Sequence, residues 1–132
     1  MSHIEELKSK FETGDLFRKL LGIELLELKP GFSRLSMTVT ESMANFHGTG
    51  HGGAVFTLAD TAFALACNSH GVPAVALTVN IDYLAPAKIG ERLTATAVEM
   101  SRTRRTGHYH MTVTNDNGDK IVFFRGVAYF KA

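Results

Sequence analysis

At 132 residues, with 45% hydrophobic and 20% charged side chains, the chain has the size and composition of one globular domain, taken as residues 1–132. With 14 lysines and arginines against 13 aspartates and glutamates, the bulk positive field that drives non-specific nucleic-acid binding is missing. One cysteine, Cys67, excludes an intrachain disulfide, the N-terminal residues lack an apolar signal core, and no apolar run approaches the roughly 20 residues of a membrane helix, so a soluble cytoplasmic protein is expected.

Ser2 and Glu5 have capping-box spacing, and Ile4, Leu7 and Phe11 give a short amphipathic helix that stops near Gly14. Asp15 can cap a second helix with Leu16, Phe17, Leu20 and Leu21 as its stripe, ended by Gly22; residues 1–22 are therefore read as N-terminal helices. From Ile23 the period changes to two. Leu25, Leu26 and Leu28 lead into a Pro30–Gly31 turn, and Leu35, Met37 and Val39 alternate with polar residues beyond it, so a hairpin is expected. Residues 45 to 61 read N-F-H-G-T-G-H-G-G-A-V-F-T-L-A-D-T, a glycine-laced loop running into an apolar helix over 51–69 with one lone carboxylate, Asp60. Apolar residues surround nearly its whole circumference, which makes it a core helix. Val75, Leu77, Val79, Ile81 and Tyr83 then form one face of a long strand ending before Pro86. Three further strands are expected at about 91–102, 106–115 and 120–130.

One long helix between an early hairpin and four later antiparallel strands implies an α+β layout, a curled antiparallel sheet wrapped around the helix. The segments H-G-G-A-V-F-T-L-A-D-T-A-F-A and V-N-I-D-Y-L-A-P-A-K-I-G-E are similar to the hotdog acyl-coenzyme A thioesterases of the phenylacetic acid degradation (PaaI) type, a likeness that extends over nearly the whole chain. The resemblance implies hydrolysis of an acyl-coenzyme A, of the phenylacetyl or hydroxyphenylacetyl class, to free coenzyme A and a carboxylic acid. It requires no metal or organic cofactor.

Thioester hydrolysis needs a group that attacks the carbonyl or activates water, and donors that hold the oxyanion. The N–H groups of Gly52 and Gly53 stand at a helix start, where unpaired donors and the dipole favour negative charge. Asp60 can serve as base or nucleophile. It follows Gly53 by seven residues, roughly 10 Å along the helix axis, which is far for both to act on one carbonyl. The separation is relieved if the loop of one subunit faces Asp60 of another, which makes an obligate homodimer, alone or as a tetramer of paired dimers, the expected state. The resemblance adds roles: His51 and Asn45 position the thioester or the water, the Gly53 N–H, with that of Gly52, polarises the carbonyl, and Asp60 is the general base or nucleophile. Thr61 is a candidate supporting hydroxyl.

Simpler readings stand beside these. Asp60 could be a structural carboxylate and Asn45 a turn former. His47 and His51 have i, i+4 spacing, but the intervening glycines argue against a metal. Gly48, Gly50 and Gly53 match G-x-G-x-x-G without the βαβ context that dinucleotide binding needs. His108 and His110 read as a solvent-facing pair on a strand. Arg102, Arg104 and Arg105 form either a solvated turn or a contact with coenzyme A phosphates. The competing functions are a hotdog dehydratase or hydratase of β-hydroxyacyl thioesters, whose proline-rich His motif is absent here, and a non-catalytic acyl-coenzyme A-binding protein.

Overall fold

The computed structural model describes residues 2–131. Helix α1 spans His3–Gly14 and α2 spans Leu16–Leu21. Ser2 caps α1 by accepting the Glu5 N–H, Asp15 caps α2 by accepting the Arg18 N–H, and Gly22 ends α2 in the left-handed region at φ 69°. Strands β1 (Glu24–Lys29) and β2 (Phe32–Thr38) form the expected hairpin, and a single 3-10 turn at Glu41–Met43, not foreseen from the sequence, leads toward the glycine loop. Helix α3 covers Gly52–Cys67, within the 51–69 expected, and β3 (Ala74–Tyr83), β4 (Arg92–Arg102), β5 (Thr106–Asn115) and β6 (Lys120–Phe130) follow.

The strands make one antiparallel sheet in the order β1-β2-β4-β5-β6-β3. Its inner face wraps α3: Leu35 and Met37 of β2, Leu93, Ala95 and Ala97 of β4 and Phe124 of β6 are all buried, together with Leu58, Ala62 and Phe63 of the helix. The helix is not enclosed all round. Gly53 and Ala64 are exposed and Thr57 and Asp60 half-buried, and their spacing at i, i+4, i+7 and i+11 leaves one open stripe along α3.

Strand β3 lies at the sheet edge, bonded only to β6. Its single apolar face, expected from Val75 to Tyr83, is interrupted by a bulge between Ala76 and Thr78. Directly paired residues of an antiparallel ladder share a face, so Val75, opposite Tyr129, is on the outer side, whereas Val79, Ile81 and Tyr83, opposite Gly126, Phe124 and Val122, face inward. Val75, Leu77, Val79 and Tyr83 all retain substantial exposure. On β5 His108 and His110 share the outer side while Tyr109 and Met111 are buried, as their alternation implied.

The C-terminal end of α3 is tied to the sheet by polar groups. Ser69 Oγ accepts the Gly31 N–H at 2.8 Å, and His70 Nε2 lies 2.8 Å from Glu99 Oε1, which also accepts the buried Tyr109 hydroxyl. Burial opposes the Glu99 charge, yet the hydrogen bonds from Tyr109 and His70 and the charges of His70 and Arg102 outweigh it and hold the carboxyl below its ordinary value. Burial, aided by the Glu99 contact, raises the Tyr109 phenol. Cys67 is buried at the last turn, and burial pushes its thiol up to about 12. Among the described residues no helix is long and apolar enough to cross a membrane.

Phe63 packs against β6 because Gly126 has no side chain: a Cβ there would meet the ring at 2.7 Å. Gly126→Ala is expected to destabilise the fold by roughly 1–3 kcal/mol through overpacking, measured by urea denaturation. Gly14→Ala, whose Cβ would meet nothing within 4 Å, should show no such loss.

Candidate active site

The glycine loop is a folded turn held at several points. Asn45 Oδ1 accepts the N–H groups of His47 and Thr49 at 2.9 and 3.2 Å, and its Nδ2 donates to Thr49 Oγ1 at 3.0 Å. Asn45 therefore organises the loop as a turn former, with Gly48 at φ 84° completing the reversal. The Gly50 N–H donates to the Ala87 carbonyl and the His51 N–H to the Met43 carbonyl, both at 2.7 Å. A Cβ on Gly50 would lie 3.0–3.3 Å from Val39 and Ala87, so glycine lets the loop press against the end of β2 and the segment after β3.

His51 is the N-cap of α3, and its Nδ1 accepts the Gly53 N–H at 2.9 Å. That bond has two consequences. An accepting Nδ1 puts the proton of the neutral ring on Nε2, where the exposed side chain can donate it outward. It also engages the Gly53 N–H, the donor expected for an oxyanion. Among the described residues the Gly52 N–H has no acceptor, so the unpaired donor at the positive end of α3 is that of Gly52. A histidine at the N-cap reaches the N2 amide and not the N1 amide.

Asp60 lies on the open stripe with no hydrogen-bond partner among the described residues, and burial raises its carboxyl above the ordinary value. No ion pair includes it, so the simple structural reading loses its partner. Within one chain it stands eight residues beyond Gly52, roughly 12 Å along the axis. Thr61 faces the core, and its hydroxyl donates to the Thr57 carbonyl at 2.6 Å, so it offers no support to Asp60. Phe46 is 93% exposed and His47 stacks beside it, at the outer rim of the loop.

A cavity of about 330 Å³ opens beside the loop, lined by Gly50, Gly52, Val55, Leu84, Pro86 and Ile121, among others. Tyr83 also lines it and donates its hydroxyl to the Gly52 carbonyl at 3.1 Å. Nothing in the sequence marks that contact, which spans 31 positions between a strand end and a helix start. Arg102, Arg104 and Arg105 lie at the β4–β5 turn. Arg102 and Arg104 share a cavity of about 380 Å³ with Val72 and Phe130, near the end of α3 opposite the glycine loop, and Arg105 donates to the Tyr129 hydroxyl. In a single chain the helix length, roughly 24 Å, separates these arginines from Gly52. Among the described residues no three His, Cys, Asp or Glu side chains converge as metal ligands would.

The thioesterase superfamily model matches residues 47–122, the stretch from the glycine loop into β6. The chain is 44% identical over 115 residues to the acyl-coenzyme A thioesterase PaaI of Escherichia coli K12, covering 87% of this chain and 82% of that one. The structure of the E. coli PaaI protein, from the phenylacetic acid degradation operon, superposes with a TM-score of 0.95 at 38% identity over 98% of this chain and 94% of that one. A thioesterase protein of Streptococcus pneumoniae TIGR4, solved with coenzyme A, superposes with a TM-score of 0.80 at 26% identity, covering 83% of this chain and 86% of that one.

The raised Asp60 carboxyl makes a prediction about stability. A carboxyl with a raised folded-state pKa binds more protons folded than unfolded between the two values, so stability falls as pH rises through that window. At pH 7 an ionised Asp60 therefore weakens the fold. Asp60→Asn, which removes the charge at nearly constant volume, is expected to raise Tm at pH 7 by a margin that narrows toward about pH 4. Thermal unfolding followed by circular dichroism checks this; a variant less stable than wild type at pH 7 would make Asp60 a structural carboxylate.

Proposed function

We propose, from the premise that the chain belongs to the thioesterase superfamily and has its hotdog fold, that it hydrolyses acyl-coenzyme A thioesters to free coenzyme A and a carboxylic acid. The observation that carries this reading is the unpaired Gly52 N–H at the start of α3 in a helix whose only carboxylate is unpartnered and lies on the open stripe. A small acyl group, aryl or medium-chain and of the phenylacetyl kind, suits the cavity of about 330 Å³ beside Gly52. The name of the E. coli relative and its operon supports that class.

The site is completed by a second copy. Edge strand β3 offers a free row of N–H and C=O groups, and its exposed inward side chains continue the open stripe of α3 into one half-apolar surface. Pairing two β3 strands antiparallel about a two-fold axis extends the sheet and lays the two open stripes side by side, running in opposite directions. Each glycine loop then faces the partner's Asp60, and the arginine turn of one subunit approaches the loop of the other. The protein is on this reading an obligate homodimer, which can pair again into a tetramer.

In each site the Gly52 N–H polarises the thioester carbonyl, with Gly53 held against His51 behind it, and His51 Nε2–H orients the substrate or the water. The partner's Asp60 takes a proton from that water as it attacks, or attacks the carbonyl itself to give a mixed anhydride that the water then hydrolyses. In either case the C–S bond breaks, and the coenzyme A thiolate leaves with the proton that the water gives up. Arg102, Arg104 and Arg105 suit the phosphates of coenzyme A. Coenzyme A enters as part of the substrate, and the reaction takes no metal or organic cofactor. A cytoplasmic location suits that substrate.

A thiol-release assay over a panel of acyl-coenzyme A substrates tests the proposal. Asp60→Ala is expected to lower kcat by about 10²–10⁴. If the wild type releases no thiol from any of them the function fails, and if the variant keeps full activity the assignment of Asp60 fails. Because only the ionised carboxylate acts, kcat should decline on the acid side through a pKa above the ordinary aspartate value. Replacing Arg102 and Arg104 by alanine should raise KM and salt sensitivity with kcat nearly unchanged; an unmoved KM removes them from the site. Gly52→Pro deletes the N–H at a helix position that tolerates proline, with the neighbouring Tyr83 ring giving way by a few tenths of an ångström. Equal mixtures of Asp60→Ala and Gly52→Pro subunits are expected to recover about one quarter of wild-type activity, because half of random dimers carry one intact shared site. A site within one chain recovers none.

A further inference from the structure

We infer that Tyr83 is a positioning and specificity-determining residue: its hydroxyl fixes the peptide that opens α3, and its ring walls the acyl cavity beside it. The inference rests on the proposed thioesterase reading for its substrate, and on the geometry alone for the fixed peptide.

Tyr83 is the last residue of β3 and faces the helix side of the sheet, opposite Val122. Within the single chain it is 55% exposed, so packing inside the subunit gives little reason for an aromatic side chain there. Its polar end has a definite task. The hydroxyl donates to the Gly52 carbonyl at 3.1 Å, while the N–H of that same peptide unit, the Gly53 amide, donates to His51 Nδ1 at 2.9 Å. One peptide plane is thus held at both edges, from a strand on one side and from the N-cap on the other. Two consecutive glycines carry the greatest backbone freedom of any pair, and an oxyanion donor is effective only if its direction is set before the charge develops. Holding the Gly52–Gly53 peptide restricts rotation about Gly52 and so aims the free Gly52 N–H that precedes it. Donation into the carbonyl also polarises the Gly53 N–H and strengthens its bond to His51.

The ring does something different. A Cβ on Gly52 would meet it at 3.2–3.4 Å, so it lies against the helix start in the space that glycine leaves. It forms one wall of the cavity of about 330 Å³ beside the loop, on the helix side of the sheet. A shorter side chain there would enlarge that cavity.

Two variants separate the hydroxyl from the ring. Tyr83→Phe is expected to lower kcat roughly three- to tenfold, the effect of one lost hydrogen bond, with KM and acyl-chain preference unchanged. Tyr83→Ala is expected to move the preference across a saturated acyl-coenzyme A series toward longer chains, and Tyr83→Leu to do so less; if the alanine variant does not fold, the leucine variant carries the test. Wild-type kcat in Tyr83→Phe overturns the positioning role, and an unmoved chain-length profile in both shortened variants overturns the specificity role. Amide hydrogen exchange at Gly53, followed by nitrogen-15 NMR, reads the held peptide without any substrate. Faster exchange in Tyr83→Phe supports it and unchanged exchange sinks it, whereas a wild type that hydrolyses nothing sinks the thioesterase reading instead.

Discussion

A helix of 16 residues with one carboxylate and otherwise mostly apolar side chains has to be covered by something other than itself, and the sheet covers it on every side except one. That constraint decides where everything else can go. The inner faces of β2, β4, β5 and β6 take the apolar positions, Gly126 yields its side-chain space to Phe63, and the remaining stripe of Gly53, Thr57, Asp60 and Ala64 is left uncovered. The two helix ends are then treated differently. Ser69, His70, Glu99 and Tyr109 tie the C-terminal end into a fully partnered polar cluster, whereas the N-terminal end keeps one amide unpaired. A satisfied network is rigid and stabilising, and an unsatisfied donor at a dipole end is a binding position. The same helix is anchored by one end and presents an unpaired donor at the other.

The site is built from groups that the fold holds at some disadvantage to itself. Asp60 sits half-buried without a partner, and the Gly52 amide lacks an acceptor. Such features survive only where the surrounding structure over-determines them. Here the loop is fixed to Met43 and Ala87, and the first peptide of α3 is fixed by His51 and Tyr83, so the exceptions rest on a rigid frame.

Periodicity made the fold largely readable. The change from period two to a fully apolar run and back marked every strand and the long helix, since each pattern follows from which faces are buried. What it could not convey was order across the sheet: β3 lies at the far edge beside β6, and strand order depends on contacts between distant segments. The bulge at Ala76 and Thr78 was equally hidden, because an alternating pattern looks continuous through an inserted residue. At the site, Asp60 and the glycine loop stood out as residue types out of keeping with their neighbours. Which of the Gly52 and Gly53 amides is left unpaired did not, since it depends on which amide the His51 ring reaches. Thr61 looked available beside Asp60 in sequence, yet a side chain one step along a helix is turned 100° away. Tyr83 gave no signal because its partner lies 31 positions earlier.

Cys67 has a bearing on a protein proposed to release a thiol at every turnover. A thiolate-prone cysteine near that product would exchange with oxidised coenzyme A and load the enzyme with mixed disulfide. With its thiol raised to about 12 and enclosed at the last turn of α3, Cys67 holds almost no thiolate at neutral pH. The folded protein is therefore chemically silent toward disulfide reagents, and the colour they develop in its presence counts product alone.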